Sequence, residues 1–256
     1  MTQPDPAPDP LTAAAALARD IADVGRAMGL PYVAASADIG SPDPMVGPDG
    51  RPFVETVFRW VDPDLRYWED RGFALRSAFV HAARSSAEPF FFEAGRFATW
   101  RHSATLEAIN SHGAIEAFGV AGAIIAPAHQ PLGVIGAIVW ATDDPSVDVS
   151  AAFGARAEAL HGLALRFIAT YAEARAGQSG PAVKLTRREI QCLKWAAAGK
   201  TDAEISEIVH ISLPTVRFHV TNAARKLGVA SRSQAIHRAG ALGYIGADPT
   251  GAAARG

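Results

Sequence analysis

The sequence predicts a mixed α/β domain followed by a small all-α domain of four short helices. Three observations carry this prediction. Helical and extended apolar patterns alternate through the first two thirds of the chain, a turn-forming stretch ("AGQSGPAVK", residues 176–184) interrupts them, and beyond it only helix-capping signals recur. Charge changes at the same place. Residues 184–245 carry ten Lys/Arg against four Asp/Glu, a net of +6, while the remainder carries fourteen against twenty-two, a net of −8. A basic unit behind an acidic one points to a polyanionic partner for the basic end.

Each element follows from its own pattern. Residues 1–10 are rich in Pro and Asp and read as a flexible tail. Over residues 11–30, Leu17, Ile21, Val24 and Met28 share one helical face. Residues 40–52 are dense in turn formers and read as a surface loop. The aromatic-rich residues 53–100 contain helical spacing around 64–86, and 104–117 read as a further helix. "GVAGAIIAPAH" and "LGVIGAIVWATD" read as adjacent antiparallel strands, buried on at least one face and joined by a Gln-Pro turn. Residues 148–175 form a long helical pattern with Leu160, Leu163, Phe167 and Ile168 at i, i+3, i+7 and i+8. The expected extents are a tail at 1–10, a mixed domain at 11–175, a linker at 176–184 and an all-α domain at 185–246.

The single cysteine, Cys192, excludes an intramolecular disulfide and suits a reducing compartment. No apolar run approaches the roughly 18 residues that span a bilayer, and "MTQPDPAPDP" lacks the basic and apolar parts of a secretory signal. A cytoplasmic location without membrane attachment is therefore expected.

The last sixty or so residues are defined by their caps. Thr186 with Glu189 and Thr201 with Glu204 are capping boxes; Ser212 caps a third helix with Pro214 in its first turn, and Ser231 with Gln234 opens a fourth. Gly199, Gly228 and Gly243 provide the ends. Two helices joined by a tight turn inside a basic unit suggest a helix-turn-helix. On the third helix, at about 100° per residue, Val216, Val220, Ala223 and Leu227 fall in one arc. Arg217, Phe218, Thr221 and Arg225 point the other way, a face suited to the major groove, or otherwise a solvated surface.

"LTRREIQCLKWAAAGKTDAEISEIVHISLPTVRFHVTNAARKLGVASRSQAI" closely resembles the DNA-binding domain of LuxR-type transcription regulators, through Glu189, Leu193, Gly199, the "GKT" turn and "KLG". The resemblance implies a third helix that enters the major groove of double-stranded DNA, and a homodimer formed through the fourth helix on a palindromic operator. Arg217 and Thr221 are the expected base-edge contacts on this face, beside Phe218. Thr215, Lys200, Arg225 and Lys226 are the expected phosphate contacts. His219 is expected to be a satisfied structural histidine, and Cys192 to lie in the core.

The order of domains also resembles the quorum-sensing branch of that family, whose autoinducer-binding domain is an α/β/α sandwich. "WEDRGFALRSAFVHAARSSAEPFFF" follows its aromatic and Pro-Phe track at Trp68, Gly72, Phe73, Pro89 and Phe90, and Gly122 matches the glycine before its central strand. The resemblance places Trp60, Tyr67, Trp68, Phe73, Ser77, Phe79, Phe90 and Phe92 around a ligand pocket, though each aromatic also suits plain core packing. The sequence departs from the family at several pocket positions, among them Asp64, which a gapless alignment sets where a pocket tryptophan is expected. Ser77-Ala78 stands where it has Asp-Pro, and Phe92 where a tryptophan donates to a lactone carbonyl, so the polar anchoring of a lactone is reduced. Three readings follow: a receptor for a small lipophilic signal other than a standard acyl-homoserine lactone, a lactone receptor with altered contacts, or a domain that works without a ligand. No nucleophile elbow, phosphate loop or metal-ligand spacing is present, so neither catalysis, a cofactor nor a metal is expected.

Overall fold

The computed structural model describes residues 9–62, 64, 76–176 and 183–246. They divide into two compact units, one made of residues 9–130 and 134–176 and the other chiefly of residues 183–246.

The N-terminal unit is built on a sheet of five strands in the order β1-β5-β4-β2-β3, antiparallel throughout. Strand β1 is Tyr32–Ser36, β2 Phe90–Glu93, β3 Arg96–Ala98, β4 Gly122–His129 and β5 Ile135–Thr142. The two predicted strands are β4 and β5, and β4 is buried on both faces up to His129. The hairpin β2–β3 was not expected. It turns at Ala94 and Gly95, both at positive φ, an Ala-Gly pair that carries little of the usual hairpin signature.

One face of the sheet is covered by α1 (Pro10–Ala27) and α5 (Val149–Ala176). Helix α1 starts at Pro10, with the Asp9 carboxylate accepting from the Thr12 N–H, and buries Ala14, Ala18, Ile21 and Gly25. Trp140 of β5 reaches into this layer and its indole N–H donates to the Ile21 carbonyl at 3.0 Å. Gly25 is required there, because a Cβ would lie 2.6 Å from the Leu30 carbonyl oxygen and 2.8 Å from Trp140 Cδ1. The short helix α2 (Phe53–Thr56) joins this layer, with Phe53 against Phe167 and Tyr171 of α5. The chain then crosses the outer edge of β1, where the Val33 N–H donates to the Arg59 carbonyl at 2.7 Å.

The other face carries α3 (Ala78–Ser85) and α4 (Ala104–Asn110) over Ala123, Ile125, Ala137 and Val139. The expected α/β/α sandwich with an antiparallel sheet is thus present. One helical boundary differs. The helix expected over 104–117 stops at Asn110, because the Ser111 hydroxyl bonds back to the Glu107 carbonyl and Gly113 takes φ 122°. Of the spacing at 64–86, the described part is α3; residues 65–75, including Tyr67, Trp68, Gly72 and Phe73, lie outside the described residues, as does most of the expected linker.

The C-terminal unit is four helices, α6 (Arg187–Ala197), α7 (Asp202–Val209), α8 (Leu213–Lys226) and α9 (Arg232–Ala241). Every expected capping box forms, at Thr186/Glu189, Thr201/Glu204 and Ser231/Gln234, and Ser212 caps α8 through the Thr215 N–H. Local chemistry alone determines these ends, which is why they were readable.

Candidate nucleic-acid interface and ligand cavity

Helices α7 and α8 form the helix-turn-helix. Between Val209 and Leu213 the turn is His210, Ile211 and Ser212, with His210 in the left-handed region at φ 55°. Val216, Val220, Ala223 and Leu227 of α8 are buried as expected, against Ile205 and Val209 on one side and Leu193 and Ala235 on the other. That packing turns Arg217, Phe218, Thr221 and Arg225 outward. Phe218 is 61% exposed, a large apolar side chain displayed on the same outward face as Arg217 and Arg225.

An ion pair between a buried carboxylate and a partly exposed lysine holds α8 against α6. The Lys226 ammonium donates to Glu189 Oε2 at 2.8 Å, and the Thr186 N–H donates to the same oxygen at 2.7 Å. Burial pushes the Glu189 carboxyl up, but these hydrogen bonds outweigh it and hold the group below its ordinary value. Lys226, expected to meet phosphate, is therefore first the partner of a buried carboxylate, because the Glu189 charge needs a cation against it. Lys200 pairs with Glu204 at 3.2 Å on the surface. The Glu204 carboxyl is drawn down to about 2, chiefly by hydrogen bonds from the Thr201 backbone and hydroxyl, then by Lys200. The Thr215 hydroxyl shares a hydrogen bond with Ser212 Oγ at 2.7 Å. Arg225 donates to Asn222 Oδ1 at 3.1 Å within its own helix.

His219 departs from expectation. It is half-buried and meets the Phe218 ring edge-on at 5.7 Å, and among the described hydrogen bonds none involves its imidazole. Cys192 lies fully in the core, as expected.

A network that the sequence did not reveal ties three helices together at this face. The Asp202 carboxylate accepts from Arg232 through Oδ1 and lies 3.6 Å from Arg217 Nε through Oδ2. Arg232 also donates to the Lys200 carbonyl at 2.5 Å. Asp202 and Arg232 are thirty residues apart, and no local pattern links them.

In the N-terminal unit a cavity of about 100 Å³ opens between the sheet and α3. Its walls are almost wholly apolar: Ala35, Ile39, Phe79, Phe118, Ile125 and Val139 among others, with Trp60 and Ser77. Among the described residues that line it there is no Asp, Glu, Lys or Arg. Among the described residues two buried polar atoms here have no partner, the Trp60 indole N–H and the Ser77 hydroxyl. Ser77 stands at the N-cap of α3, yet its side chain makes no capping bond, and the residue is only 3% exposed. A serine at an N-cap ordinarily accepts from the helix's own N–H groups; this one does not.

Of the expected pocket residues, Trp60, Ser77 and Phe79 line this cavity. Phe90 and Phe92 do not. Both are buried with Phe97 in a packed aromatic group, Phe92 with its centroid 5.1 Å from Phe79 and Phe90 5.5 Å from Phe97. Strand β2 lies outboard of β4, so its rings share the correct face but fill the space beneath α3 rather than facing the opening. Phe92 in place of the family's tryptophan is a core residue here.

Among the described residues no cluster could hold a metal ion, and no helix is long and apolar enough to cross a membrane.

Comparison with known proteins bears on the C-terminal unit. Residues 183–239 match the family described as bacterial regulatory proteins, luxR family. The chain is 52% identical over 65 residues to the transcriptional activator protein VanR of Vibrio anguillarum, covering 25% of this chain and 27% of VanR. It is also 52% identical over 62 residues to the quorum sensing-dependent regulator RpaR of Rhodopseudomonas palustris, covering 24% of this chain and 26% of RpaR. The matched stretch is thus about a quarter of each of these curated relatives. Among solved structures, Escherichia coli SdiA is similar over 90% of this chain and 91% of its own, at 18% identity and a TM-score of 0.47.

Proposed function

Taking residues 183–239 as a helix-turn-helix domain of the LuxR family, we propose that the chain is a DNA-binding transcription regulator whose N-terminal unit senses a small lipophilic signal. The observation that carries the first part is the outward face of α8, where Arg217, Phe218, Thr221 and Arg225 stand exposed on a helix anchored from behind. Arg217 and Thr221 address base edges, Phe218 offers an apolar contact such as a thymine methyl, and Arg225, Lys200 and the Thr215 end of the helix meet phosphates. Lys226 adds to that field from its pair with Glu189. The regulator acts in the cytoplasm as a homodimer on a palindromic operator, with half-sites about one helical turn apart.

The second part rests on the two unpartnered polar atoms. Leaving a buried hydrogen-bonding group unsatisfied costs roughly 1–3 kcal/mol, and a ligand that accepts from Trp60 and pairs with Ser77 removes that cost. The largely apolar walls given by the described residues, with Trp60 and Ser77 as buried polar groups, favour a compact, neutral, largely apolar ligand other than a standard acyl-homoserine lactone. Such a ligand shifts the DNA-binding state only through a difference in its affinity for the two states.

Two measurements test this. Arg217→Ala in the full chain is expected to weaken and broaden recognition of duplexes selected from a randomised library; unchanged affinity and preference would show that the reading face is misassigned. For the cavity, a matching ligand at a hundred times its Kd adds about 2.7 kcal/mol, a rise of roughly 5–10 °C in Tm. A shift of that size with micromolar acyl-homoserine lactone would sink the non-lactone reading. Native mass spectrometry of protein purified from its host identifies what is carried instead.

A further inference from the structure

We propose that Asp202 is a positioning residue that sets how Arg217 is presented to a base edge. The inference rests on the reading above, in which the outward face of α8 meets DNA. Asp202 is the first residue of α7, immediately after the capping Thr201, and its side chain is mostly shielded. One oxygen is held by Arg232, whose second terminal nitrogen is anchored on the Lys200 carbonyl at 2.5 Å. Gripped in this way the carboxylate keeps one orientation, and its other oxygen faces Arg217 Nε at 3.6 Å.

The edge engaged matters. A guanidinium carries five N–H groups in one plane, and a carboxylate on the Nε edge leaves both terminal nitrogens free. Those are the donors that address O6 and N7 of guanine together. Arg217 is 68% exposed, so nothing else in the described structure restrains its end. A guanidinium already oriented loses less rotational freedom on contact. The same carboxylate repels phosphate wherever the helix docks, so it lowers affinity for DNA of any sequence. Asp202 thus exchanges general affinity for selectivity at one base.

These two effects have opposite signs, which a purely structural role does not produce. The test uses the full chain with Asp202→Asn, Asp202→Ala and Arg217→Ala. Each is taken through selection from a randomised duplex library and, separately, titrated against a fixed alternating dA·dT duplex by fluorescence anisotropy. Asp202→Asn keeps an oxygen for Arg232 and removes the charge, so the fold survives if the alanine variant does not. The expected result is loss of about 5-fold or more in preference at a single base position, the one that Arg217→Ala also flattens. Affinity for the fixed duplex should rise about 2- to 5-fold. Asp202 variants that select the wild-type motif at every position, while Arg217→Ala flattens one, overturn the positioning role alone. A motif untouched by Arg217→Ala overturns the recognition-helix reading and the inference with it. Parallel loss of motif and of general affinity in Asp202→Asn marks a structural role and also overturns it.

Discussion

Replacing Ser77 by alanine is expected to stabilise the ligand-free protein, against the usual direction for an N-cap. Ser→Ala at an N-cap ordinarily costs about 0.5–2 kcal/mol through the lost capping bond. Here no such bond exists to lose. The hydroxyl is instead buried without a partner among the described residues, a state that costs roughly 1–3 kcal/mol. Removing it recovers that amount, less the few dispersion contacts of one oxygen, each about 0.1–0.2 kcal/mol. A net gain of about 1 kcal/mol corresponds to a Tm rise of roughly 2–4 °C in a chain of this size. Scanning calorimetry should use protein unfolded and refolded, so that no host ligand is carried through. A fall of about 2 °C or more would mean that the hydroxyl already has a partner, and the argument from Ser77 to a ligand would fail. With a hydrogen-bonding ligand added, the order reverses, since the variant gains less from it.

Other expectations concern stability and binding. The Glu189 carboxyl lies below its ordinary 4.5 in the folded chain, so its contribution is complete above that pH and fades as pH falls below it. Glu204 adds to the loss between 4.5 and about 2. Helical circular dichroism melts of the C-terminal unit should therefore show lower Tm from about pH 5 downward, and Glu189→Gln should flatten that profile. Gly25→Ala forces a Cβ against the Leu30 carbonyl and Trp140, and the resulting strain of about 1–3 kcal/mol should lower Tm in calorimetry; an unchanged Tm would disprove the tight approach. Phe218→Ala should leave folding within about 0.5 kcal/mol while weakening selected DNA about tenfold in anisotropy titrations, the effect of roughly 1.4 kcal/mol of lost apolar burial.

What the sequence revealed was local, and what it hid was not. The capping boxes at Thr186, Thr201 and Ser231 bind atoms three residues away, and the inward arc of α8 follows from one period, so both were legible. Strands β4 and β5 were legible because long apolar runs flank a short turn. The family resemblance placed Phe90 and Phe92 at the pocket, but only the strand order shows that they lie outboard of the opening. The unpaired state of Ser77 was invisible because a serine before a helix normally finds its own partner. Lys226 looked like a free cation until the fold brought Glu189, thirty-seven residues earlier, against it.

The burial of Cys192 has a practical consequence for the experiments above. The thiolate is the reactive form of cysteine, and burial pushes this thiol up from its ordinary value while closing it to solvent. A dye directed at thiols should therefore label a cysteine placed at Thr221 or Arg225 in an otherwise unaltered chain, with no need to remove the native one. Conversely, slow modification of Cys192 itself counts the moments when α6 and α7 part. One atom inside the helical unit is then a clock for how often that unit opens, readable in the same tube as DNA binding.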